Sequence, residues 1–391
     1  MDQSNLETTF AAAFVKKPEG KVRSPGRVNL IGEHTDYNGG FVLPCALDLY
    51  TTTVFRVRQD KRVRIKSLAY PDYIDIFDLT NEISLCDEPW ANYVRGVFYA
   101  AQNYGFQINQ GLDLLISSNI PHEGGLASSA ALSTSVAGAI AKGLNLPIDK
   151  RMLALIAQRA ENDFLGKKCG VMDQLTATMC KKDNLLLIDC EDFGIDHIPL
   201  PPQLAIVIID SCTIRQLRGN EYNDRRHECE RAAHAMQVKS LRHASIELLS
   251  ENKSSIDETA FRRARHVITE NDRTVRVANA LKNSNTRQVY KLMYESHESM
   301  KNDFEITTPQ LDALVAYCQE TLGQNGGARM TGGGFGGSII ALCDQGFAET
   351  LAKTVTQKYF DEFKIRARAH ICRPSDSIRV ARLSRRQADI Q

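Results

Sequence analysis

Sixteen residues near the start of the chain, Pro25-Gly26-Arg27-Val28-Asn29-Leu30-Ile31-Gly32-Glu33-His34-Thr35-Asp36-Tyr37-Asn38-Gly39-Gly40, constrain the fold most, because they crowd polar groups onto a turn directly after a short apolar run. Val28, Leu30 and Ile31 read as the end of a buried strand, Asn38-Gly39-Gly40 as a chain reversal, and Phe41-Val42-Leu43 as the start of the return strand. Glu33, His34 and Asp36 are then carried on the connection. Two carboxylates on a hairpin can take charge-assisted hydrogen bonds from neighbouring hydroxyls, which suits a polyol such as a sugar. The alternative is a solvated hairpin tip whose acids keep it soluble.

Composition narrows the classes. A length of 391 residues predicts about two to three domains. Hydrophobic residues at 43% and charged residues at 24% exclude a disordered chain. The balance of 48 basic against 47 acidic residues gives a net charge of +1, so neither nucleic acid nor a membrane is expected as a partner. The N-terminus lacks the basic and apolar regions of a signal peptide, and no apolar run approaches the roughly 20 residues of a membrane span. Ten cysteines are scattered singly without Cys-x-x-Cys, which predicts reduced thiols and a cytoplasmic location. The nine histidines show no metal-ligand spacing, and only His34 sits among other functional candidates.

The periodicity predicts an α+β chain rather than repeating βαβ units. Residues 21–77 read as strand-rich, 90–104 as a helix and 112–117 as a strand. Helices are expected over 126–144 and 150–165, and strands over 185–189 and 204–210. Pro199-Leu200-Pro201-Pro202 marks a boundary between domains 1–199 and 200–391. The second half reads as helical over 221–321, then strands at 328–331 and 338–342, a helix at 347–363 and a strand at 367–372. The polar tail from Pro374 onward is expected to be mobile.

Two glycine-bearing stretches follow the hairpin. Glu123-Gly124-Gly125-Leu126-Ala127-Ser128-Ser129 lies between a strand and an alanine-rich helix, where exposed first-turn N–H groups and the helix dipole favour an anion. Ser128 and Ser129 can either reach phosphate and metal or merely cap the helix. No lysine follows the glycines, so this is not a Walker P-loop. The second stretch, Gly332-Gly333-Gly334-Phe335-Gly336-Gly337, runs into an apolar strand rather than a helix, which removes the dinucleotide-binding context. Its glycines are better explained by close approach of the backbone to a ligand or to the first glycine loop.

In this order and at these separations, the three stretches resemble the three motifs of the GHMP small-molecule kinases. Gly26 to Tyr37 is similar to the signature of the galactokinase family. Further segments carry the likeness: Trp90-Ala91-Asn92-Tyr93-Val94-Arg95-Gly96, Cys169-Gly170-Val171-Met172-Asp173-Gln174, Glu221-Tyr222-Asn223-Asp224-Arg225-Arg226 and Asp303-Phe304-Glu305-Ile306-Thr307. The resemblance implies a two-domain α+β fold of mixed and antiparallel sheets flanked by helices, with the active site between the domains. It implies transfer of the γ-phosphoryl group of ATP, with Mg²⁺, to the anomeric hydroxyl of galactose by a monomer. Glu33, His34, Thr35, Asp36, Gly170 and Tyr222 correspond to sugar-binding positions, Asp173 to the catalytic aspartate and Arg27 to the arginine paired with it. The loop from Glu123 to Ser129 corresponds to the phosphate-binding segment, and Ser129 with Glu161 to the Mg²⁺ partners.

The chain departs from this pattern within that loop. Glu123 replaces a glycine, Ala127 a serine, and Ser133 an acidic residue. Two like charges about 4 Å apart repel by roughly 4 kcal/mol at an effective dielectric of 20, so Glu123 facing the nucleotide would weaken ATP binding. Alternatives to a galactose kinase are a non-catalytic sugar and nucleotide sensor, or a kinase for another sugar such as N-acetylgalactosamine or arabinose.

Overall fold

The computed structural model describes residues 3–121, 124–213 and 221–383. In chain order its strands are β1 (Gly20–Asn29), β2 (Phe41–Val42), β3 (Pro44–Val57), β4 (Arg62–Ser67), β5 (Tyr70–Asp78) and β6 (Leu112–Ser118). They continue with β7 (Asn184–Asp189), β8 (Ile195–Pro199), β9 (Leu204–Asp210), β10 (Gly326–Thr331), β11 (Ser338–Asp344), β12 (Arg368–Cys372) and β13 (Arg379–Arg382). Three sheets result, ordered β13-β1-β3-β6-β4-β5, β10-β11-β9-β12 and β2-β7-β8. Every pairing is antiparallel except β4 with β6. The α+β architecture of mixed and antiparallel sheets flanked by helices, expected from the sequence, is present.

The large sheet carries helices Pro89–Asn103, Ser128–Gly143 and Lys150–Arg159 on one face, packed through Val22, Phe55, Leu114, Val136 and Ile156. On the central strand of the four-stranded sheet, Val207 and Ile209 face one core while Ile206 and Ile208 face another. A strand covered on both faces reads as an unbroken apolar run, as Leu204 to Ile209 does. The second of these cores also takes Val28, Leu30 and Leu43 from the hairpin and Val277 and Met293 from later helices.

Three expectations change. The helix expected over 150–165 narrows to Lys150–Arg159 and then widens into a π-turn, Ala160–Phe164, whose closing bond runs from Leu165 N to Ala160 O at 3.2 Å. The helix expected from 126 starts at Ser128, because Ala127 is left-handed with φ 57°. The polar tail is not free: Ser375, Ser377 and Ile378 donate main-chain bonds to Ala46, Cys180 and Ala177, and β13 covers the edge of β1. Ile378 is buried against the large sheet's helical layer, which supplies the apolar anchor that the polar composition hid. The expectation of mobility fails as far as Leu383, and residues 384–391 lie outside the described residues.

Candidate active site

Strand β1 runs into β3 with Asn29 opposite Pro44, so residues 30–43 form the connection. It is not a solvated tip. Glu33 is 2% exposed and His34 5% exposed. His34 takes φ 63°, a left-handed turn that costs a residue with a Cβ about 1–2 kcal/mol. Gly32 (φ 101°) precedes it, where a Cβ would lie 2.6 Å from Phe41 O. The sharp bend turns both side chains inward.

Each of these side chains is then fixed. Glu33 accepts from Asn29 Nδ2 at 2.9 Å, Thr331 Oγ1 at 3.1 Å and Gly332 N at 2.9 Å, and pairs with Arg329 at 2.5 Å. Nε2 of His34 lies 3.3 Å from the Gly333 carbonyl, which can only accept, so Nε2 carries the proton. Burial, with His266 nearby, lowers the His34 pKa to about 3, so the ring is neutral and Nδ1 accepts from the Tyr37 hydroxyl at 2.6 Å. Thr35 spends its hydroxyl on the carbonyls of Gly32 and Phe41 at 2.8 and 2.6 Å. Asp36 is pushed up to about 6, first by burial and then by the charge of Asp173.

Asp173 lies in the first turn of the helix Met172–Met179 and meets Arg27 in a bidentate pair, Nε to Oδ1 at 2.7 Å and a terminal nitrogen to Oδ2 at 2.9 Å. The other terminal nitrogen of Arg27 donates to Gly125 O at 2.5 Å, and Arg27 N donates to Leu126 O at 3.0 Å. One arginine on β1 thereby ties the acid to the first glycine loop. A Cβ on Gly26 would stand 2.7 Å from Leu126 O, so glycine at this position lets the loop cross β1. Gly170 plays the same part for Asp36, whose Oδ2 would lie 1.9 Å from an added Cβ.

Ala127 is the N-cap of Ser128–Gly143, and no side chain caps this helix. Among the described residues the capping alternative for Ser128 and Ser129 therefore falls. Glu161 projects from the π-turn to 3.5 Å from Ser129 Oγ and accepts from Gln174 Nε2 at 3.0 Å. It is 5% exposed, not on a solvent face. Burial, then Asp173, pushes its carboxyl up to about 7. No group of three or more acidic, histidine or cysteine side chains that could hold a metal occurs among the described residues. Two oxygen ligands facing a phosphate site nonetheless fit a cation that takes the rest of its shell from phosphate and water, as Mg²⁺ does. Glu123 lies outside the described residues.

The second glycine loop closes the site. Ser338 donates to Gly124 O at 2.8 Å, which joins it to the first loop. Tyr222 packs on His34 and Tyr37 with ring centroids 5.2 and 5.5 Å apart, and its ring lies against Gly333.

Residues 8–57 match the galactokinase galactose-binding signature, 92–181 the N-terminal domain of GHMP kinases and 277–361 their C-terminal domain. A Lactococcus lactis galactokinase, solved in complex with galactose, is 35% identical over 96% of this chain and 99% of its own, with a TM-score of 0.92. The chain belongs to the galactokinase family. A mevalonate kinase from Methanococcus jannaschii (21% identity, 92% and 99% coverage, TM-score 0.62) and a homoserine kinase from Cytophaga hutchinsonii (17%, 93% and 98%, 0.62) share the fold.

As in the expectation for a galactokinase, Arg27, Asp173, Glu161, Ser129, Asp36, Gly170, Tyr222 and the two glycine loops converge. Glu33, His34 and Thr35 sit there too, but much of their hydrogen-bonding capacity goes to the protein. Arg329 and Glu270, which brace Glu33 and Gly32, escaped the sequence reading. The available signal was a lone charge inside the buried strand Gly326–Thr331.

Proposed function

We propose that the protein transfers the γ-phosphoryl group of ATP to the C1 hydroxyl of galactose. The bidentate Arg27–Asp173 pair, placed between the sugar hairpin and the phosphate loop, carries this reading. Asp173 accepts the proton of the C1 hydroxyl while its oxygen bonds to the γ-phosphorus and the bond to the β–γ bridging oxygen breaks. ADP leaves, and the proton passes to solvent. Arg27 holds the carboxylate in one orientation and adds fixed positive charge near the transferring group. Because the transition state of phosphoryl transfer is loose, positioning and electrostatics contribute more than the strength of the base.

Asp36 and Tyr222, with Glu33 and His34 beneath them, bind the sugar, and the backbone of Gly170 approaches it. The uncapped N–H groups at Ser128 and Ser129 and the loop from Glu123 to Ala127 bind the phosphates. Ser129 and Glu161 would hold Mg²⁺, which when bound neutralises phosphate charge. Ten free thiols support a reducing cytoplasmic location, and no described helix is long and apolar enough to cross a membrane.

The test is NMR analysis of products after incubation with ATP, Mg²⁺ and a panel of galactose, N-acetylgalactosamine and arabinose. Phosphorus coupled to the anomeric proton of galactose is the expected result. Galactose binding without transfer at saturating ATP overturns the reading in favour of a sensor.

A further inference from the structure

Beneath the sugar hairpin lies a buried cluster of charges of which only Glu33 belongs to one of the three motifs. Arg329, on β10 just ahead of the second glycine loop, has no exposed surface. Its Nε donates to Ser296 Oγ at 3.0 Å, and one terminal nitrogen donates to Leu30 O at 3.0 Å and pairs with Glu33 Oε2 at 2.5 Å. The other terminal nitrogen reaches Glu270 Oε1 at 3.4 Å. Glu270 is equally buried and accepts from Gly32 N at 3.0 Å and Ser296 Oγ at 2.7 Å, while Arg273 pairs with its second oxygen at 2.8 Å. Two carboxylates thus face two guanidinium groups, and the contacts run to the turn or to the helices behind it.

Burying such a cluster is expensive, and well-packed apolar residues commonly serve stability as well or better. Its geometry explains its presence better. A planar guanidinium can hold a main-chain carbonyl, a serine and a carboxylate in one arrangement, whereas an ammonium group cannot reproduce that fork. Oε2 of Glu33 is held by Arg329 and Asn29 and Oε1 by Gly332 N, while the single hydroxyl proton of Thr331 is shared between Oε1 and the Asn29 carbonyl, so the acceptor position of Glu33 left for a ligand is on Oε1 and points in a set direction.

We propose that Arg329, seated on Glu270 and Ser296, is a positioning residue for sugar recognition that acts through Glu33. This rests on the reading that Glu33 contacts galactose. Arg329 has no exposed surface from which to reach either substrate, and its contacts lead to Glu33 and the hairpin, so its effect should fall on one substrate only.

Steady-state kinetics in both substrates test the role with Arg329→Lys, Ser296→Ala, Glu33→Gln and the Ser296→Ala/Glu33→Gln pair. Arg329→Lys should raise the KM for galactose about ten- to a hundredfold and Ser296→Ala about three- to tenfold, with the KM for ATP within about twofold of wild type. In the Glu33→Gln background the Ser296→Ala effect on galactose should largely vanish, since both changes act on one contact. A merely structural residue would lower the amount of active enzyme and hence apparent kcat, with both KM values unchanged. That outcome overturns the proposal, as does an equal rise in the KM for ATP or a Ser296→Ala effect that is undiminished beside Glu33→Gln. If Arg329→Lys does not fold, Ser296→Ala, which loses only one oxygen, still decides. Wild-type protein that fails to phosphorylate galactose would instead overturn the functional reading itself.

Discussion

At the scale of single residues, Asp173 and Asp36 divide the work by environment. Arg27 holds Asp173 by two bonds, so an amide there keeps the shape but loses the charge that accepts the proton. Asp173→Asn should lower kcat about 10²- to 10⁴-fold while galactose binding stays measurable by calorimetry. A change confined to the KM for galactose would show that Asp173 only holds the sugar. Asp36 predicts a pH dependence. Its carboxyl is raised from 3.8 to about 6 by burial and by Asp173, so its contribution to stability is complete below its unfolded value and is lost as pH rises through about 6. Sugar binding follows the opposite course, because protonated Asp36 loses acceptor capacity. Galactose affinity should therefore fall below about pH 6, and in Asp173→Asn that acid limb should move to lower pH, since a source of the upward shift is gone. An acid limb at unchanged pH in the variant would exclude Asp36 as the titrating group.

At the scale of elements, the site depends on irregularities that periodicity does not show. The strand-rich character of residues 21–77 and the helices around Trp90 and Ala130 were legible, because each follows from local apolar runs or periods. The second glycine stretch was legible as a close-approach segment, and Gly334 shows why, since a Cβ there would lie 2.5 Å from Ile306 O. The π-turn at Ala160 was not legible: Lys150 to Leu165 reads as one helix, and only packing decides that the chain widens and buries Glu161. Neither was the anchor in the tail, since Ile378, Val380 and Leu383 lie among serines, arginines and an aspartate without a sustained period. Ile378 fills a place in the helical layer, and its N–H donates to Ala177 O at 2.7 Å near the end of the helix that carries Asp173 in its first turn. Ile378→Ala should destabilise the protein by about 2–5 kcal/mol in denaturant unfolding. A loss below about 0.5 kcal/mol, typical of surface positions, would mean that the strap is not part of the core.

At the scale of the molecule, the two halves share their interior. The core that holds Val28, Leu30 and Leu43 of the hairpin also holds Ile206, Ile340 and Val277, and the Arg329–Glu33 pair joins residues 296 positions apart, by the difference of their numbers. Composition and periodicity could not reveal this, because a contact between distant segments leaves no local signature in either; the Arg27–Asp173 pair came from the family resemblance alone, and the partners of Glu33 became visible only in the folded chain. A shared core and a buried ion pair both make separate unfolding of the halves costly, as either half alone would expose apolar surface and unpaired charge. Heating should therefore give one cooperative transition, although a chain of this length could support two. Galactose, held on the hairpin and braced from the second half, should then shift that whole transition. Free galactose at 100 times its Kd adds about 2.7 kcal/mol to the folded state. Calorimetry with and without galactose makes the comparison. Two resolved transitions, only one of them moved by the sugar, would show that the hairpin and the later helices fold as independent units and that the shared core does not couple them.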